Sequence, residues 1–97
     1  MEYTNIYNAM SKAMTEGTAY AGSVGAVVNN GNIDIYTDRL RVASLQKVSG
    51  SSYELIYKPD SWFVDPITES EKADVIKACR KLTGYNVVES SKLLVTD

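Results

Sequence analysis

The chain has 97 residues and a formal net charge of −2, with 44% hydrophobic and 23% charged residues. These are ordinary values for a globular domain with one hydrophobic core, and they exclude an intrinsically disordered chain. The longest apolar runs, such as Leu93–Val95, are far shorter than the roughly 20 residues needed to cross a bilayer. We therefore expect a single soluble domain over residues 1–97 that does not enter a membrane.

The sequence also predicts where the protein resides. Met1 to Thr4 contain no basic stretch, and no apolar run follows them, so we expect no signal peptide. The single cysteine, Cys79, cannot form a disulfide within the chain. Both observations predict a cytoplasmic protein.

The composition argues against several kinds of chemistry. The chain has no histidine, which is the commonest general base and the commonest metal ligand in proteins. Cys79 lies on the apolar stripe of a predicted helix, which favours a buried structural thiol. Asp34 and Asp38 are expected to face water rather than to form a carboxylate pair. We therefore predict a protein that is not an enzyme and has no cofactor or metal.

The first predicted element is a helix. Thr4 is a suitable N-cap residue. Four apolar residues recur at helical spacing on one face: Ile6, Met10, Ala13 and Met14. Gly17 is one possible end of this helix, but the pattern also allows it to continue to Tyr20 and end at Gly22.

Alternating residues in the middle of the chain predict an antiparallel sheet. Val24, Ala26 and Val28 alternate toward one side, and the following segment 29–32, Asn-Asn-Gly-Asn, is typical of a tight hairpin turn. Ile33 and Ile35 continue the alternation on the returning strand. Residues 40–48 and 53–57 predict two further strands, joined by the turn residues at 49–52.

A capping box predicts the start of a second helix. In Thr68-Glu69-Ser70-Glu71, the Thr68 hydroxyl and the Glu71 carboxylate can each bond an amide at the helix start. An apolar stripe follows, with Val75, Ile76, Cys79 and Leu82, and Gly84 is the expected end. Residues 85–89 predict a last strand, after which Leu93–Val95 either pairs back or packs as a tail.

Together these elements predict an α+β fold in the order α-β-β-β-β-α-β. We expect an antiparallel sheet of four to five strands with both helices packed on one face. An α-β-β-β-α order is similar to that of double-stranded RNA-binding domains, which place basic residues at the start of their second helix. Here that position reads Glu69-Ser70-Glu71-Lys72, so the likeness is confined to the order of elements.

One segment, residues 60–74, combines acidic and aromatic side chains. It holds five acids and one base, and it contains the only tryptophan and the only phenylalanine of the chain. Acids in the first turn of a helix complement its dipole, which accounts for some of these residues. Tryptophan beside charged residues is typical of binding surfaces. The predicted partner-binding residues are Asp60, Trp62, Phe63, Asp65, Glu69, Glu71 and Asp74.

These observations favour a small, non-enzymatic protein-binding module that inhibits a partner by occupying its surface. In a more specific form, the acids mimic the phosphates of a nucleic acid and block a basic groove of a nucleic-acid-binding protein or complex. Small phage-encoded inhibitors of host defence, including anti-CRISPR proteins, resemble this combination of size and charge pattern. No membrane partner is expected.

Two alternatives remain. The chain is, alternatively, a structural subunit that forms homo-oligomers through an exposed sheet edge or through the tail Leu93–Val95. A weak nucleic-acid-binding domain is the other alternative, with Arg39, Arg41 and Lys47 on one face of the sheet because their numbers share parity. The net negative charge disfavours direct binding to nucleic acid.

Overall fold

A computed structural model describes residues 1–37, 40–57 and 67–94. These ranges form two helices and six strands, in the order α-β-β-β-β-β-α-β. The elements are α1 (Tyr3–Glu16), β1 (Thr18–Ala21), β2 (Val24–Asn29), β3 (Asn32–Thr37), β4 (Leu40–Ser49), β5 (Ser52–Tyr57), α2 (Glu69–Thr83) and β6 (Asn86–Leu93). The predicted α+β class is confirmed.

The six strands form one sheet whose spatial order follows the chain from β1 to β6. Each pair from β1 to β5 is antiparallel, whereas β6 lies parallel to β5. The parallel pairing follows from the crossover through α2, since a strand that returns after a helix can add to the sheet in the same direction. The sheet is therefore mixed rather than purely antiparallel, and it has one strand more than the predicted maximum.

The additional strand is β1, at one edge of the sheet. Helix α1 ends at Gly17, whose backbone has φ of 87°, and β1 begins at the next residue. The alternative end of α1 at Gly22 is therefore wrong. Thr4 lies inside the first turn and Glu2 holds the N-cap position without a side-chain cap, so the predicted cap is also wrong.

Both helices pack on one face of the sheet and share one core. Helix α1 contributes Ile6, Ala9, Met10 and Ala13, and α2 contributes Val75, Ala78 and Cys79. On the sheet, alternate residues such as Ile35, Leu45 and Leu55 are fully buried beneath them. Met14 was expected on this face but is 44% exposed, because it lies on a flank of α1.

A β-bulge changes the direction of side chains in β4. Ile35 pairs with Ala43 but Tyr36 pairs with Arg41, so β4 has one extra residue at this point. Arg41 consequently lies on the face away from the helices, where its Nη1 is 3.6 Å from Asp34 Oδ2. Lys47 pairs with the core residue Tyr53 and lies on the helix side. The expected alignment of Arg41 with Lys47 is therefore wrong, and Arg39 lies outside the described residues.

The two helices run in the same direction, which gives the molecule two distinct ends. One end, the helix-start end, holds the beginnings of α1 and α2 and the last residues of β5 and β6. The other, the hairpin end, holds both helix C-termini and the turns β2–β3 and β4–β5. This assignment follows from the strand register and from the contact between Met1 and Glu71.

Candidate functional site

The predicted partner-binding residues divide into two groups in the structure. Asp60, Trp62, Phe63 and Asp65 lie outside the described residues. Glu69, Glu71 and Asp74 lie in the first two turns of α2, at the helix-start end. Three sets of contacts hold these turns in place.

The predicted capping box supplies the first set of contacts. Thr68 Oγ1 accepts a hydrogen bond from the Glu71 amide at 3.1 Å, and Glu71 Oε1 accepts one from the Thr68 amide at 2.9 Å. Two amides that the helix itself leaves without partners are thereby satisfied. The capping-box prediction is confirmed, and α2 starts at a fixed residue.

The second contact joins Glu71 to the other end of the sequence. The α-amine of Met1 donates to Glu71 Oε2 at 2.7 Å, and this pair is largely buried, with the Glu71 side chain 19% exposed. Burial opposes ionisation of Glu71, but the hydrogen bonds from Met1 and Thr68 outweigh it, and the pKa of Glu71 lies below its usual value. Glu71 is therefore a structural anion that fixes α2 to α1.

Lys72 provides the third set of contacts. Its Nζ lies 2.9 Å from Glu69 Oε1, 3.5 Å from Glu89 Oε1 on β6, and 3.7 Å from the centre of the Tyr57 ring on β5. The hydrogen bond to Glu69 raises the pKa of Lys72 above its usual value. A single buried ammonium thus joins three elements through two carboxylates and a cation–π contact.

Together these residues form what we term the α2 anchor: Thr68, Glu69, Glu71 and Lys72 with their partners Met1, Tyr57 and Glu89. Tyr57 ends β5 and Thr68 precedes α2, so the α2 anchor holds the described residues on both sides of the segment 58–66. The predicted surface residues Asp60 to Asp65 are attached in sequence to this anchor.

The acids of α2 do not share one face. At about 100° per residue, Glu69 and Glu71 project in nearly opposite directions from the helix axis. Glu69 is 86% exposed although it contacts Lys72, whereas Glu71 points inward to Met1. Asp74 is half-buried on the flank nearer α1. The described part of the predicted acidic surface therefore consists of Glu69 and Asp74, without Glu71.

Sequence reasoning did not identify Lys72, Tyr57 or Glu89 as members of this site. The i, i+3 spacing of Glu69 and Lys72 was a signal for their ion pair. The contacts of Lys72 with Tyr57 and Glu89 depend on the position of β6 beside β5, and no local pattern contains that information.

Tyrosines form two further clusters in the described ranges. Tyr3 and Tyr7 pack at 6.1 Å between ring centres on α1, with Lys77 Nζ 4.7 Å from the Tyr3 ring. At the hairpin end, Tyr53 and Tyr85 stack at 5.7 Å. The most exposed tyrosine is Tyr20, whose ring lies over Gly25 of the neighbouring strand. Most of these rings therefore cover the core or a glycine.

The candidates for chemistry occupy structural positions. Cys79 is buried, as predicted, and burial raises the pKa of its thiol. Asp34 contacts Arg41, and Asp38 lies outside the described residues. No group of three or more Cys, Asp or Glu side chains suited to a metal ion occurs in the ranges that the structure describes.

The chain matches no protein-family model, no curated protein and no solved structure. Neither of its two described helices has the length and apolar character needed to cross a membrane.

Proposed function

We propose that the protein is a small binding module that acts by occupying the surface of a partner protein. The observation that carries this proposal is the α2 anchor, which holds an exposed carboxylate, Glu69, on a helix start tied to α1, β5 and β6. Binding side chains on a firmly held element lose little conformational freedom on association, which favours affinity.

The acidic form of the proposal concerns a basic partner. Glu69 and Asp74 face solvent to different degrees, and Asp60 and Asp65 precede them in sequence. Four carboxylates in this short stretch would attract a basic groove of a nucleic-acid-binding protein and increase the rate of association. Glu71 is omitted from this set, because its charge is already neutralised by Met1.

A capture experiment tests the proposal. Wild-type protein and the variant Asp60→Lys/Asp65→Lys/Glu69→Lys/Asp74→Lys are immobilised, and a nuclease-treated lysate of the native host is passed over each. We expect one basic, nucleic-acid-handling protein to be retained by wild type, released by moderate salt, and lost from the variant. Equal retention by both proteins would contradict the acidic form.

A matched control separates the site from net charge. Glu16→Lys/Glu54→Lys changes net charge as much as Glu69→Lys/Asp74→Lys does, but it alters α1 near its end and the exposed face of β5. Only the α2 reversal should weaken retention. Thermal unfolding of each variant shows whether a loss of retention reflects a loss of folded protein.

The homo-oligomer alternative has one supporting observation, since β6 is an eight-residue strand at the edge of the sheet. Its regular part is short, however. Leu55 pairs with Glu89 and Tyr57 with Leu93, so β6 bulges between these points. The Leu94 amide donates to Tyr57 O within the same chain. Sedimentation that gives a monomer at all concentrations would rule out this alternative.

The nucleic-acid alternative loses its geometric basis, because the bulge in β4 places Arg41 and Lys47 on opposite faces of the sheet. We therefore rank it below the other two.

A further inference from the structure

The turn between β2 and β3 carries a reactive dipeptide that has no part in the α2 anchor. The strand register pairs Asn29 with Asn32 and leaves Asn30 and Gly31 as the two central residues. Both have positive φ, 53° for Asn30 and 84° for Gly31, and both are exposed. This is the geometry of a type I′ turn, which asparagine and glycine tolerate best.

We propose that Asn30 is a site of spontaneous deamidation. After the Gly31 backbone nitrogen loses its proton to solvent, it attacks Cγ of Asn30. A bond forms between these atoms, the bond from Cγ to Nδ2 breaks, and ammonia leaves. Water then opens the resulting succinimide ring at either carbonyl, which gives aspartate or isoaspartate. No electrons are gained or lost.

The residues around the turn favour this position over the other asparagines. Gly31 has no Cβ to obstruct ring closure, and no other asparagine of the chain precedes a glycine. Residues 30 and 31 lie outside the ladder of paired residues, so reaction does not require a strand to separate. The Lys47 side chain passes the turn, with its Cδ 3.6 Å from where a Cβ on Gly31 would lie, and its charge favours an anionic product.

One hydrogen bond controls the reaction. The Tyr53 hydroxyl donates to Gly31 O at 2.9 Å and holds the turn closed. In an ideal type I′ turn, ψ of the first central residue is about +30°, and the Asn30 Cα–C bond must rotate before the Gly31 nitrogen can reach Cγ. Tyr53 is therefore a brake on deamidation. The isoaspartyl product lengthens the main chain by one methylene, which a two-residue turn cannot accommodate without loss of this bond.

The folded protein is incubated at mildly alkaline pH and followed by ion exchange and peptide mass spectrometry. Asn30→Gly is the unreactive control, because Gly-Gly also suits a type I′ turn. We expect an acidic species in wild type that maps to residue 30 as aspartate and isoaspartate and is absent from Asn30→Gly. Tyr53→Phe should accelerate its formation roughly two- to tenfold, the factor that corresponds to one neutral hydrogen bond.

Three results would overturn the proposal. The first is an acidic species that forms equally in Asn30→Gly or maps to another asparagine. The second is a folded protein that stays unmodified over the time in which its urea-unfolded form reacts. The third is an unchanged rate in Tyr53→Phe, which would remove the role assigned to Tyr53.

Discussion

Helix α2 is held differently at its two ends, although a lysine lies over a tyrosine ring near each of them. At the start, Lys72 is buried, lies 3.7 Å from the Tyr57 ring centre and contacts Glu69 and Glu89. Beyond the C-terminus, Lys47 lies 5.3 Å from the Tyr85 ring centre and is exposed. It forms no ion pair within the described residues.

The comparison shows that the same pair of residue types has different physical consequences in different surroundings. An exposed cation over a ring competes with water and contributes little. A buried ammonium with carboxylate partners is part of a network, and its removal leaves several groups without their contacts. The α2 anchor is therefore expected to be the more stable end, which suits a surface that binds without rearranging.

Lys72→Ala should have the largest effect among surface-linked substitutions. It removes the cation from Glu69 and Glu89 and the packing of the lysine stem on Tyr57. We expect a loss of about 2 kcal/mol in the free energy of unfolding, measured by urea denaturation. A loss as small as that of a typical exposed lysine would show that the network at the α2 anchor contributes nothing.

Glu71→Gln should cost about 1–2 kcal/mol at neutral pH, because it weakens the capping box and the ion pair with Met1. The folded pKa of Glu71 lies below its usual 4.5, so its stabilisation is present above that value. It is lost as the pH falls through the lower folded pKa. The difference between wild type and Glu71→Gln should therefore shrink in acid, and a difference that grows in acid would contradict this assignment.

Gly84→Ala tests the other end of α2. Gly84 has φ of 73°, and a Cβ placed there would meet no atom within 4 Å. The cost therefore arises from the left-handed backbone alone, about 1 kcal/mol. Gly84→Asn should cost less in the same thermal-unfolding measurement, because asparagine tolerates this conformation. Equal costs for both variants would argue against this explanation.

Lys47→Ala should have the smallest effect, about 0.5 kcal/mol or less, because its contact with Tyr85 is exposed. Measured beside Lys72→Ala under the same conditions, it gives the comparison directly. If the two variants lose the same stability, burial does not account for the difference between the ends of α2.

Local signals predicted much of the fold. The capping box at Thr68, the Asn-Gly turn and the C-terminal Gly84 each depend on contacts within a few residues, and all three are confirmed. Strand β1 has only four residues and follows a helix whose apolar pattern continues into it, so it was missed. The bulge in β4 reverses an argument from parity, because one extra residue exchanges the two faces.

The α2 anchor was only partly predictable. The capping box was visible in the sequence, but the contact of Glu71 with Met1 joins residues 70 positions apart. The contacts of Lys72 depend on a parallel pairing of β5 with β6 that no local pattern indicates. Three of the acids in the predicted surface are described, and the structure assigns one of them, Glu71, to the interior of the fold.

The most direct test of the proposed binding surface is a titration of the captured partner with Glu69→Lys/Asp74→Lys and with Glu16→Lys/Glu54→Lys. The two variants carry the same net charge, and both should remain folded. We predict that the first binds at least tenfold more weakly than wild type, about 1.4 kcal/mol, and that the second binds within about twofold of wild type. Equal weakening of both variants would show that net charge, and not the α2 anchor, determines binding.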